Sequence, residues 1–150
     1  MDLILWRHAE AEDGHPDLAR KLTPHGHQQA ARVGAWLRER LPPGVAVIAS
    51  PAVRAQQTAA ALGLPFDTSP LIAPGAPVAS ILQAARWPDR DATAVLVGHQ
   101  PDLGCAAAFI VAGARHDWHI DKGALWWLAG GRQVHLRAVM SPELLSSDLL

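Results

Sequence analysis

The stretch DLILWRHAE at residues 2–10 gives the first indication of the fold. Its apolar run, Leu3 to Trp6, is short and continuous and ends at charged residues, which is typical of a strand buried on both faces of a sheet. A second run of this kind, Ala94 to Gly98, is followed at once by His99. Because such strands need helices on both sides of the sheet, the two runs favour an α/β domain.

Segments with helical spacing alternate with the short apolar runs. After Thr23-Pro24, which has the form of a helix N-cap followed by proline, apolar residues recur every three or four positions as far as Leu41. This alternation predicts a mostly parallel sheet flanked by helices. The predicted strands are Leu3–Trp6, Val45–Ala49, Phe66–Ser69, Ala94–Gly98, Ala124–Leu128 and Val134–Val139, and the remaining predicted helices run from Ser50-Pro51 to Leu62, from Val78 to Trp87 and from Pro101 to Ala112.

Composition bounds the size of the domain and the class of its partners. The chain of 150 residues fits one domain, residues 1–150, and 49% hydrophobic residues supply enough apolar mass for a core. A formal net charge of −1 argues against nucleic acid or an anionic membrane as a partner. The single cysteine, Cys105, fits a reducing compartment, and the N-terminus lacks the features of a signal peptide, so the expected location is the cytoplasm.

Basic and imidazole side chains follow three of the predicted strands. Arg7 and His8 end the first strand, Arg54 lies early in the helix after the second, and His99 follows the apolar strand at 94–98. Ligands of open α/β sheets collect beyond the carboxyl ends of the strands, where helix N-termini also point. Guanidinium groups match phosphate oxygens in a bidentate manner, so this pattern favours a phosphoryl-binding site.

Four segments resemble the motifs of one enzyme family. LWRHAE at 5–10 resembles an Arg-His-Gly/Ala signature, and LTPHGHQQA at 22–30 resembles Leu-Thr-x-x-Gly-x-x-Gln-Ala. SPAVRAQQTA at 50–59 is similar to Ser-Pro-x-x-Arg-Ala-x-x-Thr-Ala, and VGHQP at 97–101 resembles the segment with the second catalytic histidine. Four such motifs in the right order identify the chain as a member of the histidine phosphatase superfamily, which includes the cofactor-dependent phosphoglycerate mutases.

Within this superfamily the chain resembles the small bacterial phosphohistidine phosphatases. His99 lies 48 residues after Pro51, and no helical insertion of the kind that mutases carry fits in that interval. The resemblance therefore implies a phosphoglycerate mutase-like three-layer sandwich without the insertion. It also implies an open site suited to a phosphorylated protein, such as a histidine-containing phosphotransfer domain.

The resemblance also implies roles for individual residues. His8 attacks phosphorus and forms a covalent phosphohistidine, while Arg7, Arg54 and His99 bind the phosphoryl oxygens. Neighbouring arginines disfavour protonation of His8, as a histidine nucleophile requires. Glu10 is the nominated general acid, and its alternative interpretation is a solvated loop carboxylate.

Two other functions stay open at this level. One is a phosphomonoesterase acting on a small phosphorylated metabolite, and the other is a non-catalytic phosphate-binding module. No cofactor or metal is expected, because zinc needs three or four converging ligands, and surface positions are the better interpretation of the paired histidines. These histidines are His25 and His27, and His116 and His119. The oligomeric state is not predicted.

Overall fold

A computed structural model describes residues 1–145 of the chain and contains one six-stranded sheet with four α-helices. Short 3-10 turns lie at Asp17–Ala19, Pro70–Ile72 and Pro142–Leu144. The strands are β1 (Asp2–Arg7), β2 (Ala46–Ala49), β3 (Asp67–Thr68), β4 (Ala94–Gly98), β5 (Leu125–Ala129) and β6 (His135–Met140), and the helices are α1 (Pro24–Arg38), α2 (Val53–Ala60), α3 (Val78–Ala85) and α4 (Asp102–Ala112).

The sheet has the strand order β3-β2-β4-β1-β5-β6 and is mostly parallel. The pairs β2–β3, β2–β4 and β1–β4 are parallel, whereas β5 runs antiparallel to β1 and β6 antiparallel to β5. Arg7 lies opposite Gly98, and Ala49 lies opposite Val97. The carboxyl ends of β1, β2 and β4 therefore meet at one edge of the sheet, where ligands of such folds bind.

Helices cover the sheet on both faces and make three layers. Val33 and Leu37 of α1 pack with α2 on one face, against sheet residues that include Trp6. Leu103 of α4 and Ile81 of α3 pack on the other face. All residues of β4 are buried, which agrees with a central strand covered on both sides. The α/β three-layer sandwich predicted from the sequence is thus confirmed.

Helix ends agree with the sequence signals at α1 and α4 but not at α2. The Thr23 hydroxyl accepts a hydrogen bond from the backbone N–H of Gly26, and Gly113 ends α4 with a positive φ of 65°. Ser50-Pro51, by contrast, does not begin α2, which starts at Val53 without a side-chain cap. The Ser50 hydroxyl turns instead towards His99 and accepts the backbone N–H of Ala52.

The adjacent tryptophans of β5 lie on opposite faces of the sheet, as the alternation of strand side chains requires. Trp127 belongs to the core beneath α1 and α2, and Trp126 packs on the other face near Trp118, with ring centroids 5.8 Å apart. The C-terminal segment packs on the domain through Pro142, which is buried, to Leu145, and residues 146–150 lie outside the described part. Within residues 1–145, none of the helices has the length and hydropathy needed to span a membrane.

Candidate active site

His8 follows β1 directly and lies at the carboxyl edge of the sheet. Its ring Nδ1 is 2.7 Å from the backbone oxygen of Ala9. A carbonyl oxygen can only accept, so Nδ1 carries the proton and Nε2 keeps its lone pair. Burial, followed by the charges of Arg54, Arg7 and Arg20, lowers the pKa of His8 to about 4. The imidazole is therefore neutral near pH 7, with Nε2 available as a nucleophile.

Arg54 lies in the first turn of α2 and contacts both histidines. Its Nε donates to Nε2 of His8 at 3.3 Å, and one terminal nitrogen lies 3.4 Å from Nδ1 of His99. The two imidazole rings have their centroids 5.1 Å apart. Only 4% of Arg54 is exposed, so its charge acts in a poorly solvated site where electrostatic interactions are strong.

The ring of His99 is held by a hydrogen bond on each side. A guanidinium has only donors, so Nδ1 of His99 accepts from Arg54 and Nε2 carries the proton. That proton is donated to the Ser50 hydroxyl oxygen at 2.8 Å. Burial, with the charges of His8 and Arg54, lowers the pKa of His99 to about 3. His99 is thus a fixed neutral imidazole beside His8.

Thr58 connects the segment after β1, which contains His8, to α2, which contains Arg54. Its hydroxyl accepts the backbone N–H of Ala9 at 3.1 Å and donates to the backbone oxygen of Arg54 at 2.8 Å. Thr58 is fully buried, so neither bond is exchanged with water. The spacing between His8 and Arg54 is set by this bridge.

Arg7 approaches the same edge from β1. One of its terminal nitrogens donates to the backbone oxygen of Ile120 at 2.9 Å. Its Nε is buried and has no hydrogen-bond partner within the described residues. A buried donor without a partner is costly, and Arg7 also contributes to the lining of the adjoining cavity.

A loop between β1 and α1 places Asp17 and Arg20 at the site. Terminal nitrogens of Arg54 donate to the Asp17 backbone oxygen at 2.8 Å and to its Oδ2 at 3.1 Å. Arg20 also donates to Asp17, at 3.1 Å. Hydrogen bonds from Arg20 and Arg54 lower the pKa of Asp17, so this carboxylate is ionised. The sequence reasoning missed Asp17, since an exposed aspartate in a polar loop carries no distinguishing pattern.

These groups surround a cavity of about 360 Å³. Four cationic and two acidic side chains contribute to its lining, so it attracts anions although the whole chain has a net charge of −1. Gln100, Asp102 and Lys122 also reach the cavity, and none of them was nominated from the sequence. The lining comprises Arg7, His8, Ala11, Asp17, Arg20, Arg54, Pro74, Gly75, His99, Gln100, Pro101, Asp102 and Lys122.

Glu10 is the one nominated residue that the structure does not bring to the cavity lining. Its carboxylate accepts the Thr23 hydroxyl at 2.7 Å, and its backbone N–H donates to Gln29. The contacts of Glu10 thus secure the start of α1, and its acid role stays a prediction. Among residues 1–145, no three histidine, cysteine or acidic side chains converge as metal ligands, and the imidazole of His119 bonds to Asp121.

Comparison with known proteins agrees with this geometry. The sequence profile of the histidine phosphatase superfamily (branch 1) matches residues 3–75. The solved structure of a protein assigned as the phosphohistidine phosphatase SixA of Nakamurella multipartitia superposes with a TM-score of 0.77 and 30% identity, covering 94% of this chain and 95% of that one. This chain belongs to the histidine phosphatase superfamily.

Two further relatives extend the comparison. An uncharacterized protein of Mycobacterium tuberculosis is 36% identical over 110 residues, which cover 71% of this histidine phosphatase and 70% of the relative. The protein histidine phosphatase SixA in complex with tungstate has a TM-score of 0.81 over 96% of this chain and 99% of its own. At 23% identity, that second likeness shows the fold.

Proposed function

We propose that this protein hydrolyses phosphohistidine on a partner protein through a covalent phosphohistidine intermediate on His8. The observation that carries the proposal is the hydrogen bonding of His8. Its Nδ1–H is anchored on the Ala9 carbonyl, and its unprotonated Nε2 lies beside Arg54 at the cationic cavity. A fixed tautomer with a lowered pKa is what a histidine nucleophile requires.

The reaction has two displacements at phosphorus. In the first, the lone pair of His8 Nε2 forms a bond to phosphorus while the phosphorus–nitrogen bond of the substrate breaks, and the departing imidazole takes a proton from solvent. In the second, water attacks the phosphoryl group on His8, releasing inorganic phosphate and restoring the imidazole. Arg7, Arg54 and His99 stabilise the charge on the phosphoryl oxygens in both steps.

The contacts of Asp17 and of Glu10, the acid nominated from the sequence, favour a nitrogen leaving group. Asp17 is ionised by its contacts with Arg20 and Arg54, and the Glu10 carboxylate is bonded to Thr23. Neither is therefore well placed to protonate an alkoxide, which a phosphomonoester releases. A departing imidazole needs less assistance, so phosphohistidine is the substrate class that the site supports best.

One observation favours phosphomonoesterase activity on a small metabolite as the second candidate. Asp102 lines the cavity, and burial raises the pKa of its carboxyl group. This direction makes Asp102 the carboxyl group of the cavity best suited to give a proton to a departing alkoxide. Asp102→Asn should then slow esters with poor leaving groups more than p-nitrophenyl phosphate, whose leaving group needs no proton. An equal effect on both esters would remove the support that Asp102 lends to the ester hypothesis.

The primary experiment measures phosphate release from a histidine-containing phosphotransfer domain phosphorylated with phosphoramidate, alongside a panel of phosphomonoesters. His8→Ala should lower turnover by at least about 10⁴-fold and abolish the acid-labile phosphoenzyme, because the nucleophile is lost. His25→Ala is the matched control, since His25 is exposed on α1. Preferred turnover of one small ester would move the assignment to a metabolite phosphatase. Negligible turnover of every substrate by the wild type would favour a binding module.

A further inference from the structure

A second, larger depression lies between α3 and α4, on the side of the sheet opposite α1 and α2. It encloses about 660 Å³, and most of the side chains that line it are apolar. We call it the α3–α4 groove, and its lining comprises Ala76, Pro77, Val78, Ala79, Leu82, Pro101, Asp102, Cys105, Phe109, Ala114, Arg115, His116 and Asp117.

Two rows of side chains form the walls of the groove. Pro101, Cys105 and Phe109 follow one another at four-residue intervals along the start and outer face of α4. Val78 and Leu82, also four residues apart, line it from α3. Phe109 is 48% exposed, which leaves a large aromatic surface in contact with water. A channel between two apolar helical rows suits the apolar face of a third helix.

The groove adjoins the catalytic cavity. Pro101 and Asp102 line both, while the segment at 74–77 contributes Pro74 and Gly75 to the cavity and its next two residues to the groove. Asp102 holds this segment in place, because its Oδ2 accepts the backbone N–H groups of Gly75 at 2.8 Å and Ala76 at 3.1 Å. Pro101, Asp102 and the segment at 74–77 therefore form a ridge between the two depressions, which these hydrogen bonds hold in place, and the groove lies beside the cavity that contains His8.

The position of the groove beside the cavity limits what can bind in the groove. On a helix, residues three and four positions from a phosphohistidine lie on the same face as the phosphorylated ring. A helix whose phosphorylated ring enters the cavity can therefore lay these neighbouring residues against the adjoining ridge. We propose that the α3–α4 groove binds the apolar face of the partner-protein helix that carries the phosphohistidine. This inference rests on the proposed function and adds a protein-docking surface to it.

Kinetics with phosphohistidine in two forms, one carried by a protein and one as a free amino-acid derivative, test the groove. The protein-borne form is the phosphoramidate-treated phosphotransfer domain, and the free form is Nα-acetyl phosphohistidine, which reaches His8 without a helix. Phe109→Ser should reduce kcat/KM on the phosphoprotein by about tenfold or more, through KM, because an exposed aromatic anchor is lost. Turnover of the free form should change by less than about twofold, since the substitution leaves the cavity lining intact.

Two additional variants guard against indirect effects. Ala79→Glu places a charge in the groove at an exposed position of α3 and should reproduce the selective rise in KM. Leu136→Ser removes a similarly exposed apolar side chain, 40% exposed, from β6 and should leave both substrates unaffected. Equal losses on the protein-borne and free forms would overturn the docking role, as would an unchanged KM for the phosphoprotein in both groove variants.

Failure of the inference can be told apart from failure of the proposed function. If the wild type hydrolyses neither form of phosphohistidine, the proposed function falls and the groove assignment falls with it. If the wild type hydrolyses both forms and the groove variants act normally, only the docking role is lost. A rise in KM for 1-naphthyl phosphate, without one for the phosphoprotein, would assign the groove to the apolar part of a small ester.

Discussion

The parallel and antiparallel halves of the sheet contribute to the site in different ways. The parallel strands β1 and β4 end at the cavity and place the side chains of His8 and His99 there. The antiparallel strand β5 begins at the same edge, and the segment before it supplies mainly backbone acceptors. The carbonyl of Ile120 accepts a hydrogen bond from the Arg7 guanidinium, and the carbonyl of Gly123 accepts one from the indole N–H of Trp6 at 2.9 Å.

Strand direction accounts for this division. A parallel strand delivers its last residues and the following helix N-terminus to the carboxyl edge, so side chains and helix dipoles converge there. An antiparallel neighbour brings to the same edge the loop that precedes the strand. The carbonyl groups of this loop orient side chains of the parallel half. We therefore expect substitutions in the parallel half to affect chemistry, and those in the antiparallel half to affect little beyond local packing.

After the loss of His8 itself, the largest effect should come from Arg54→Ala. Removing this guanidinium takes away the proposed donor to the phosphoryl oxygens and the contacts to both histidines, and kcat/KM should fall by about 10²–10³-fold. Lys122→Ala removes a cation that precedes β5 and lines the same cavity, and its effect should stay below about tenfold. Steady-state kinetics on p-nitrophenyl phosphate give the comparison. Similar losses for the two variants would break the distinction between the halves.

The titration of His8 tests whether burial at the edge of the parallel half keeps its imidazole neutral. Burial lowers the pKa to about 4, so the fraction of nucleophilic imidazole should be constant from pH 8 to pH 5 and fall only near pH 4. The Hε1 resonance of His8, followed by NMR, reports this protonation without interference from the substrate. Arg54→Ala should raise the pKa, because it removes a nearby positive charge. A midpoint near 6.5 in the wild type would contradict the assignment.

The bridge formed by Thr58 should show a smaller effect, on stability. Thr58→Val keeps the shape of the side chain but leaves the Ala9 N–H and the Arg54 carbonyl without the hydroxyl. The free energy of unfolding should fall by about 1–3 kcal/mol, as measured by urea denaturation. Thr58→Ser retains the hydroxyl and should keep the catalytic rate near that of the wild type. A Val variant as stable and as active as the Ser variant would show that the bridge is dispensable.

The smallest effect is expected in the antiparallel half. Val139 is on β6 and is 42% exposed, so Val139→Thr exchanges one β-branched side chain for another at a solvated position. The unfolding free energy should stay within about 0.5 kcal/mol of the wild-type value, and kcat/KM should stay within about twofold. Urea denaturation and steady-state kinetics serve as the readouts. A large loss of activity would place a functional role on this edge and remove the contrast between the halves.

The sequence predicted the features that depend on strand ends and missed those that depend on loop paths. Arg7, His8 and His99 follow short apolar runs, and parallel topology alone brings such ends together. Asp17 could not be predicted as a partner of Arg54, because the path of the loop from 11 to 22 follows from tertiary contacts. Ser50 begins the helix predicted after the second strand, but local sequence does not reveal that its hydroxyl accepts a hydrogen bond from His99.

The same limit applies to Asp102. At the start of α4 its carboxylate has the form of an ordinary first-turn acid, which the helix dipole favours. Its bonds to Gly75 and Ala76 join segments far apart in the chain, and only the folded structure shows them. Glu10 is the converse case: its sequence position beside His8 suggested the cavity, yet Thr23 binds its carboxylate.

The ridge fixed by Asp102 separates the part of the molecule that performs the reaction from the part that we propose selects the partner. Substitutions along the outer faces of α3 and α4 can accumulate without moving His8, Arg54 or Thr58, whose contacts lie on the far side of that ridge. Under the proposed docking role, changes in the groove would therefore alter which protein substrate is bound while the residues around His8 stay the same.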